Sequence, residues 1–130
     1  MRLLLDTHVW LWLRTEPERL GEPAVKLVED PGTDLYLSAA SAWEIAIKYR
    51  VGKLPLPRSP VEYVPQRMKT SGTLPLAVEH VHAVQVAALP LHHRDPFDRL
   101  LVAQAQIEHM RLLTADPAFK AYDVEVVKAA

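Results

Sequence analysis

Three observations predict an α/β fold. Short apolar runs with strand character alternate with helical stretches along the chain, which implies a mainly parallel sheet covered on both faces. The first run, Arg2–Leu5, is followed by Asp6 and is apolar on both sides, as a central parallel strand is. Further acidic residues stand where strands end or helices begin, the edge at which open α/β sheets present their ligands. At 130 residues the chain has the size of one domain, 1–130, and no repeat or low-complexity tract divides it.

The elements follow in order. Thr7–Arg14 crowds Val9, Trp10, Leu11, Trp12 and Leu13 together, too apolar for a surface helix and expected to pack on at least two sides. Glu22–Asp30 reads as a short amphipathic helix with Pro23 in its first turn, and Asp30–Thr33 as a turn. Leu35–Leu37 is the second strand, and Ser38 is placed to cap a helix over Ala39–Val51 that Gly52 ends. Lys53–Pro60 carries three prolines and reads as a loop; helical pattern resumes over Val61–Thr70. Thr73–Leu76 is a short edge strand. Val78–Leu89 reads as a helix with Val81, Val84, Ala88 and Leu89 on one side. After the connection Pro90–Pro96 come a strong helix over Phe97–Met110, a strand at Leu112–Thr114, one helical turn at Pro117–Tyr122 and a last strand at Val124–Val127.

Composition removes several function classes. There is no cysteine, which excludes disulfides, thiolate metal sites and a cysteine nucleophile, and fits a cytoplasmic setting. Leu3–Leu13 is too short to span a bilayer and is broken by Asp6 and His8, so no membrane association is expected. The formal charge of −1 speaks against a broadly basic nucleic-acid surface. A polyanionic substrate would have to be held locally, by bound metal and a few basic side chains. Lys48, Arg50, Arg94 and Arg99 are the candidates.

Four acids are the chemical feature: Asp6, Glu44, Asp98 and Asp116. Each has a structural reading beside the functional one. Asp6 could cap a helix starting at Thr7. Glu44 could complete a capping box with Ser41, or pair with Lys48 across one helical turn. Asp95-Pro96-Phe97-Asp98 offers Asp95 as cap, Pro96 at the first helical position and Asp98 near the positive end of the helix dipole. Asp116 before Pro117 is a cap as well. Taken together, four carboxylates at one mouth would repel, raise at least one pKa and require a cation, and hard oxygen ligands suit Mg²⁺ or Mn²⁺. All six histidines read as structural or solvent-facing; adjacent His92 and His93 diverge and do not chelate one metal. Of the tryptophans, Trp43 is expected in the core, while exposed apolar surface around Trp10 and Trp12 would mark a partner face.

The stretches Leu4-Leu-Asp-Thr-His8, Ser41-Ala-Trp-Glu-Ile45, Asp95-Pro-Phe-Asp-Arg-Leu-Leu-Val-Ala-Gln-Ala105 and Leu113-Thr-Ala-Asp116 with Phe119 resemble those of PIN-domain ribonucleases, specifically toxins of VapBC-type toxin–antitoxin modules. The resemblance covers almost the whole chain. It implies a three-layer α/β/α sandwich with a mainly parallel central sheet. It also implies an acidic quartet at Asp6, Glu44, Asp98 and Asp116, with the small polar residue beside the last acid at Thr114. Asp98 rather than Asp95 matches the metal-site aspartate, because it directly precedes Arg-Leu-Leu-Val-Ala. Asp95 belongs to a longer His-Arg-Asp-Pro-Phe-Asp-Arg form.

The expectation that follows is an endoribonuclease dependent on Mg²⁺ or Mn²⁺, with Asp6 and Asp98 as direct ligands and Glu44 and Asp116 completing the shell. Its partners would be RNA, a cognate antitoxin and a second copy of itself. Two other classes stay open at this level: a metal-free α/β partner-binding module whose acids only cap helices, and a metal-dependent nuclease or phosphatase acting on DNA or another phosphate ester.

Overall fold

The computed structural model describes residues 1–130. Strands β1 (Arg2–Leu5), β2 (Asp34–Ser38), β3 (Leu74–Leu76), β4 (Arg111–Thr114) and β5 (Val126–Lys128) form one sheet in the order β3-β2-β1-β4-β5, parallel throughout. Six helices connect them: α1 (Thr7–Thr15), α2 (Glu22–Glu29), α3 (Ala39–Arg50), α4 (Pro60–Ser71), α5 (His80–Gln85) and α6 (Pro96–Glu108). None is long and apolar enough to cross a membrane.

The pleat sorts the core into two layers. Leu3, Leu5, Leu35, Leu37 and Leu113 point to one face, where they meet Val9 and Trp10 of α1, Ala24 of α2, Ile45 of α3 and Val64 of α4. Leu4 and Leu112 point to the other and meet Leu101, Val102 and Ala105 of α6, with Phe119 and Tyr122. Leu3, Leu4 and Leu5 are fully buried. Each such leucine stabilises the fold by roughly 1.5–3 kcal/mol relative to exposure. The central position of β1 therefore explains why Arg2–Leu5 is apolar on both sides. Helices on both faces make the three-layer α/β/α sandwich.

From β1 the chain runs outward to β2 and β3, then returns to the other side of β1 to lay down β4 and β5. The sheet order reverses between β1 and β4, and in open α/β sheets the crevice at such a point is the ligand site. Polar residues fix the elements around it. Ser38 accepts from the Ala40 amide (3.0 Å) as the cap of α3 and donates to Gln104 Oε1 (2.5 Å), tying β2 to α6. Gly52 takes a left-handed φ of 79° just past the end of α3, a conformation open to glycine without strain.

Three sequence expectations fail here. Val78–Leu89 does not form one helix on an apolar stripe: α5 is six residues, followed by a 3₁₀ turn at Val86–Ala88, and Val81 and Val84 face solvent. Its inward residue is His82, held by polar bonds to Glu79 and Glu108, so the hydrophobic period misreported the buried side. Trp43 is 62% exposed rather than in the core, resting edge-on against Phe97 with ring centroids 5.3 Å apart. The inward side of α3 is occupied instead by Ala40, Ser41, Glu44 and Ile45. Trp10, expected beside exposed partner surface, is instead fully buried in the core, while Leu11, Trp12 and Leu13 are half-buried against the same layer.

Candidate functional site

Asp6 stands at the end of β1, its amide donating to Leu113 of β4 (3.0 Å) and its carbonyl accepting from Trp10 in α1 (3.0 Å). Its side chain does not cap α1. Instead Thr114, at the end of β4, donates to Asp6 Oδ2 (2.7 Å), and Asp6 Oδ1 is buried with no partner. The helix-cap reading of Asp6 is thereby set aside.

Glu44 is 2% exposed in the second turn of α3. With Ser38 as the cap, a capping box with Ser41 is excluded. The pair with Lys48 forms (Nζ to Oε2, 2.6 Å), yet it lies at the site rather than on an outer helix face, and Glu44 Oε1 is buried without a partner. A carboxylate oxygen stripped of water and given no donor is a costly arrangement. Here two such oxygens occur, on Asp6 and Glu44.

Asp98 and Asp116 close the group. Asp95 caps α6, accepting from the amides of Phe97 (2.8 Å) and Asp98 (3.2 Å), and this turn sets the Asp98 side chain beside His93. Asp116 Oδ1 accepts from the Ala118 amide (2.9 Å), so its cap reading holds for one oxygen, while Oδ2 lies 3.3 Å from His93 Nε2. His93 Nε2 also contacts Asp98 Oδ2 at 2.9 Å. The Asp95 amide donates to His93 Nδ1 (3.2 Å), which assigns that nitrogen as acceptor and puts the ring proton on Nε2. His93 therefore donates to both carboxylates. Although His93, Asp98 and Asp116 bring ligand atoms within 4.8 Å of one another, the tautomer makes the histidine their organiser rather than a metal ligand.

The four acids sense one another. Burial pushes the Asp98 carboxyl up to about 8, with Asp6, Asp95, Glu44 and Asp116 adding repulsion. Burial also raises Asp6, opposed by the Thr114 hydrogen bond and by His8, and reinforced by Glu44 and Asp116. Burial works against the charged form of Lys48, but Glu44, Asp95 and Asp98 outweigh it and its pKa rises. Electrostatic strain of one sign, two orphaned oxygens and an all-carboxylate donor set fit a hard divalent cation. Without one, protons must take its place.

Of the basic candidates, Lys48 is at the site. Arg99 is a correction: it is 8% exposed and donates to the Val86, Leu89 and Pro90 carbonyls and the Tyr122 hydroxyl, so it holds the 86–90 connection onto α6 and does not face a phosphate. Arg50 and Arg94 extend into solvent without side-chain partners. The residue that sequence reasoning set aside is His93. Its signal was its place at the head of the His-Arg-Asp-Pro-Phe-Asp-Arg run, two positions before the cap whose amide orients it.

The PIN domain family model matches residues 3–125. Over 68 residues the chain is 57% identical to Ribonuclease VapC16 of Mycobacterium tuberculosis, a match covering 49% of this chain and 48% of that protein, so it spans about half the relative's length. Over 124 residues it is 32% identical to Ribonuclease VapC22 of the same organism, covering 92% of this chain and 91% of the relative. Among solved structures, a chain of VapBC2 from Rickettsia felis, bound to a DNA fragment from its promoter, superposes over 100% of both chains with a TM-score of 0.68 at 14% identity. A chain of VapBC-1 from nontypeable Haemophilus influenzae covers 98% of each with a TM-score of 0.64 at 15% identity. These last two similarities concern the fold.

Proposed function

The chain belongs to the PIN-domain family, and on that premise we propose that it is a metal-dependent endoribonuclease, the toxin of a toxin–antitoxin pair. One observation carries the reading. The buried side-chain oxygens that lack any partner, Asp6 Oδ1 and Glu44 Oε1, both belong to the carboxylate group at the reversal of the sheet. A domain whose acids only cap helices has no use for them.

In this reading Asp6, Glu44, Asp98 and Asp116 hold Mg²⁺ or Mn²⁺. The chemistry such a cation supplies when bound is Lewis acidity, which makes water a better nucleophile at neutral pH and offsets charge on the phosphate. The chain's own groups prepare that site. Thr114 occupies one oxygen of Asp6 and leaves the other free. Lys48 does the same for Glu44. His93 holds Asp98 and Asp116 side by side.

The relatives named ribonucleases support RNA as substrate, and a structural neighbour solved as a toxin–antitoxin complex supports a cognate antitoxin. The reading extends to residues 1–130 as one catalytic domain, a homodimer, working in the cytoplasm. The exposed Trp43 supplies apolar surface for such contacts. The test is cleavage mapping on total cellular RNA with and without Mg²⁺, beside DNA of matched sequence. The expected result is discrete RNA cuts only with the metal; cutting of both polymers, or of neither, overturns the reading.

A further inference from the structure

At the far end of α1 from Asp6 lies a cavity of about 410 Å³ lined by Arg14, Arg58, Tyr63, Gln66 and Arg67, among others, and by no acidic residue. None of its three arginines takes part in an ion pair. Arg14 and Arg58 are exposed, as long basic side chains usually are. Arg67 is not. It is 4% exposed, stacks 4.7 Å from the Trp10 ring and donates to the Tyr63 hydroxyl (2.7 Å) and the Trp10 carbonyl (2.5 Å), while its Nε is buried without a partner. Burial lowers its pKa; Tyr63 opposes this, and the like charge of Arg14 adds a smaller push downward. A buried cation facing other cations, with no carboxylate to pair with, is an electrostatic deficit that an anion would fill.

A second groove, about 390 Å³, runs beside the first half of α1 and is lined by His8, Leu11, Glu44, Lys48 and Lys53 among others. Leu11 borders this groove, and its carbonyl accepts from Arg67. His8, Leu11 and Thr15 share one face of α1, because residues three and four apart are neighbours on a helix. From His8 to Thr15 the helix rises about 10 Å. The acids thus sit at one end of a track whose flanking charges are Lys48, Lys53, Arg58, Arg14 and Arg67. Five of the chain's fifteen lysines and arginines lie along it.

We propose that the arginine cavity is a phosphate subsite for the RNA strand, seating a backbone phosphate a few nucleotides from the bond held at the acidic edge. The proposal rests on the ribonuclease reading above. A nucleic-acid strand brought to the acids by metal continues naturally along the lysines into the arginines. An acidic peptide in the same track would have to lie against Glu44 and its neighbours.

The test uses the full chain carrying Asp98→Asn, to prevent cleavage, with and without Arg14→Ala and Arg58→Ala together. Both arginines are exposed, and a melting curve checks that the fold is kept. Fluorescence anisotropy of labelled single-stranded oligoribonucleotides of increasing length reads the affinity. The parent is expected to gain affinity once the strand is long enough to reach the cavity. The double substitution is expected to erase that gain, weaken binding about tenfold and lower the log–log salt slope by about 0.7 for each phosphate left unneutralised; Arg14→Lys and Arg58→Lys together should recover part of each. An unchanged affinity and slope, in a chain that does cleave RNA with Mg²⁺, overturns the subsite and leaves the ribonuclease reading intact. If the chain neither cleaves nor binds RNA, both fall. Inorganic phosphate that binds through Arg14 and Arg58 without competing with RNA marks a free-anion site and overturns the proposal. So does a protein partner whose binding, in place of RNA's, depends on the two arginines.

Discussion

His82 and His93 are built alike and serve different ends. Each accepts a backbone amide at Nδ1, from Glu79 (3.0 Å) and Asp95 (3.2 Å), and each is thereby left with Nε2–H to donate. Each donates to a carboxylate 2.9 Å away. His82 meets Glu108 alone, at the far end of α6, and that bond pins α5 to the sandwich. His93 meets Asp98 and Asp116 together, at the edge where β1 and β4 end. Hydrogen-bond chemistry does not separate the two. What separates them is whether the carboxylate partner has other acids beside it.

The largest expected effect tests that distinction through the partners. Asp98→Asn should reduce metal-dependent RNA cleavage by more than about 100-fold, beyond what loss of an outer-shell group produces. Glu108→Gln should leave cleavage near the parental level in the same assay. Equal losses in both would erase the comparison.

The histidines themselves come next. His93→Ala should weaken metal affinity about 10–100-fold, as losing a group that orients ligands does, read by calorimetric titration of Mn²⁺. His82→Ala should instead lower stability by about 1–3 kcal/mol, the cost of stranding buried polar partners, read by urea unfolding, with Mn²⁺ affinity unchanged. A large stability loss at both positions would make His93 structural.

The acidity of Asp98 sharpens the contrast further. Its folded pKa of about 8 lies above the ordinary carboxylate value of 3.8. Between those values the metal-free folded chain holds a proton that the unfolded chain has released. Stability is therefore full below the ordinary carboxylate range, falls as pH rises toward 8, and is restored by Mg²⁺, which binds the deprotonated group. Melting temperatures across this window, with metal and with chelator, read the effect directly. A flat profile in chelator would contradict it.

The smallest expected effect is at the neighbour. His92 is exposed and packs edge-on against Tyr122, 5.3 Å between ring centroids. His92→Ala should shift stability by no more than about 0.5 kcal/mol and leave cleavage unchanged in the same assays. A loss of cleavage comparable to that of His93→Ala would place the working histidine one residue earlier.

Much of this was legible in the sequence, for reasons that differ by residue. Asp6 stood out because a buried strand announces its end by the first charge it tolerates. Ser38, Asp95 and Asp116 were legible because capping is local chemistry. Glu44 was ambiguous because its bond to Lys48 is the same i,i+4 pair on either side of a helix, and only the sheet decides which side is inside. Trp43 was misassigned on that account: α3 turns Ala40, Ser41, Glu44 and Ile45 toward the sheet and leaves its largest side chain out. His82 and His93 were indistinguishable because their carboxylate partners lie 26 positions away in one case and on separate elements in the other. Arg67 was invisible, since a buried arginine among carbonyls and rings leaves no pattern in the chain.

The hydrogen bond from Thr114 to Asp6 spans 108 positions, and the Asp6 amide is held by the carbonyl of the preceding residue, Leu113. A nascent polypeptide that has emerged from the ribosome only through α6 has no β4. It therefore has neither group to fix Asp6, nor the Asp116 that follows. Parallel pairings between distant segments are also among the slower contacts to form. The acidic edge cannot assemble before β4 and Asp116 have been made. On the proposed reading, an activity directed at RNA is thereby withheld from the messenger and ribosome that are producing it until β4 has joined the sheet.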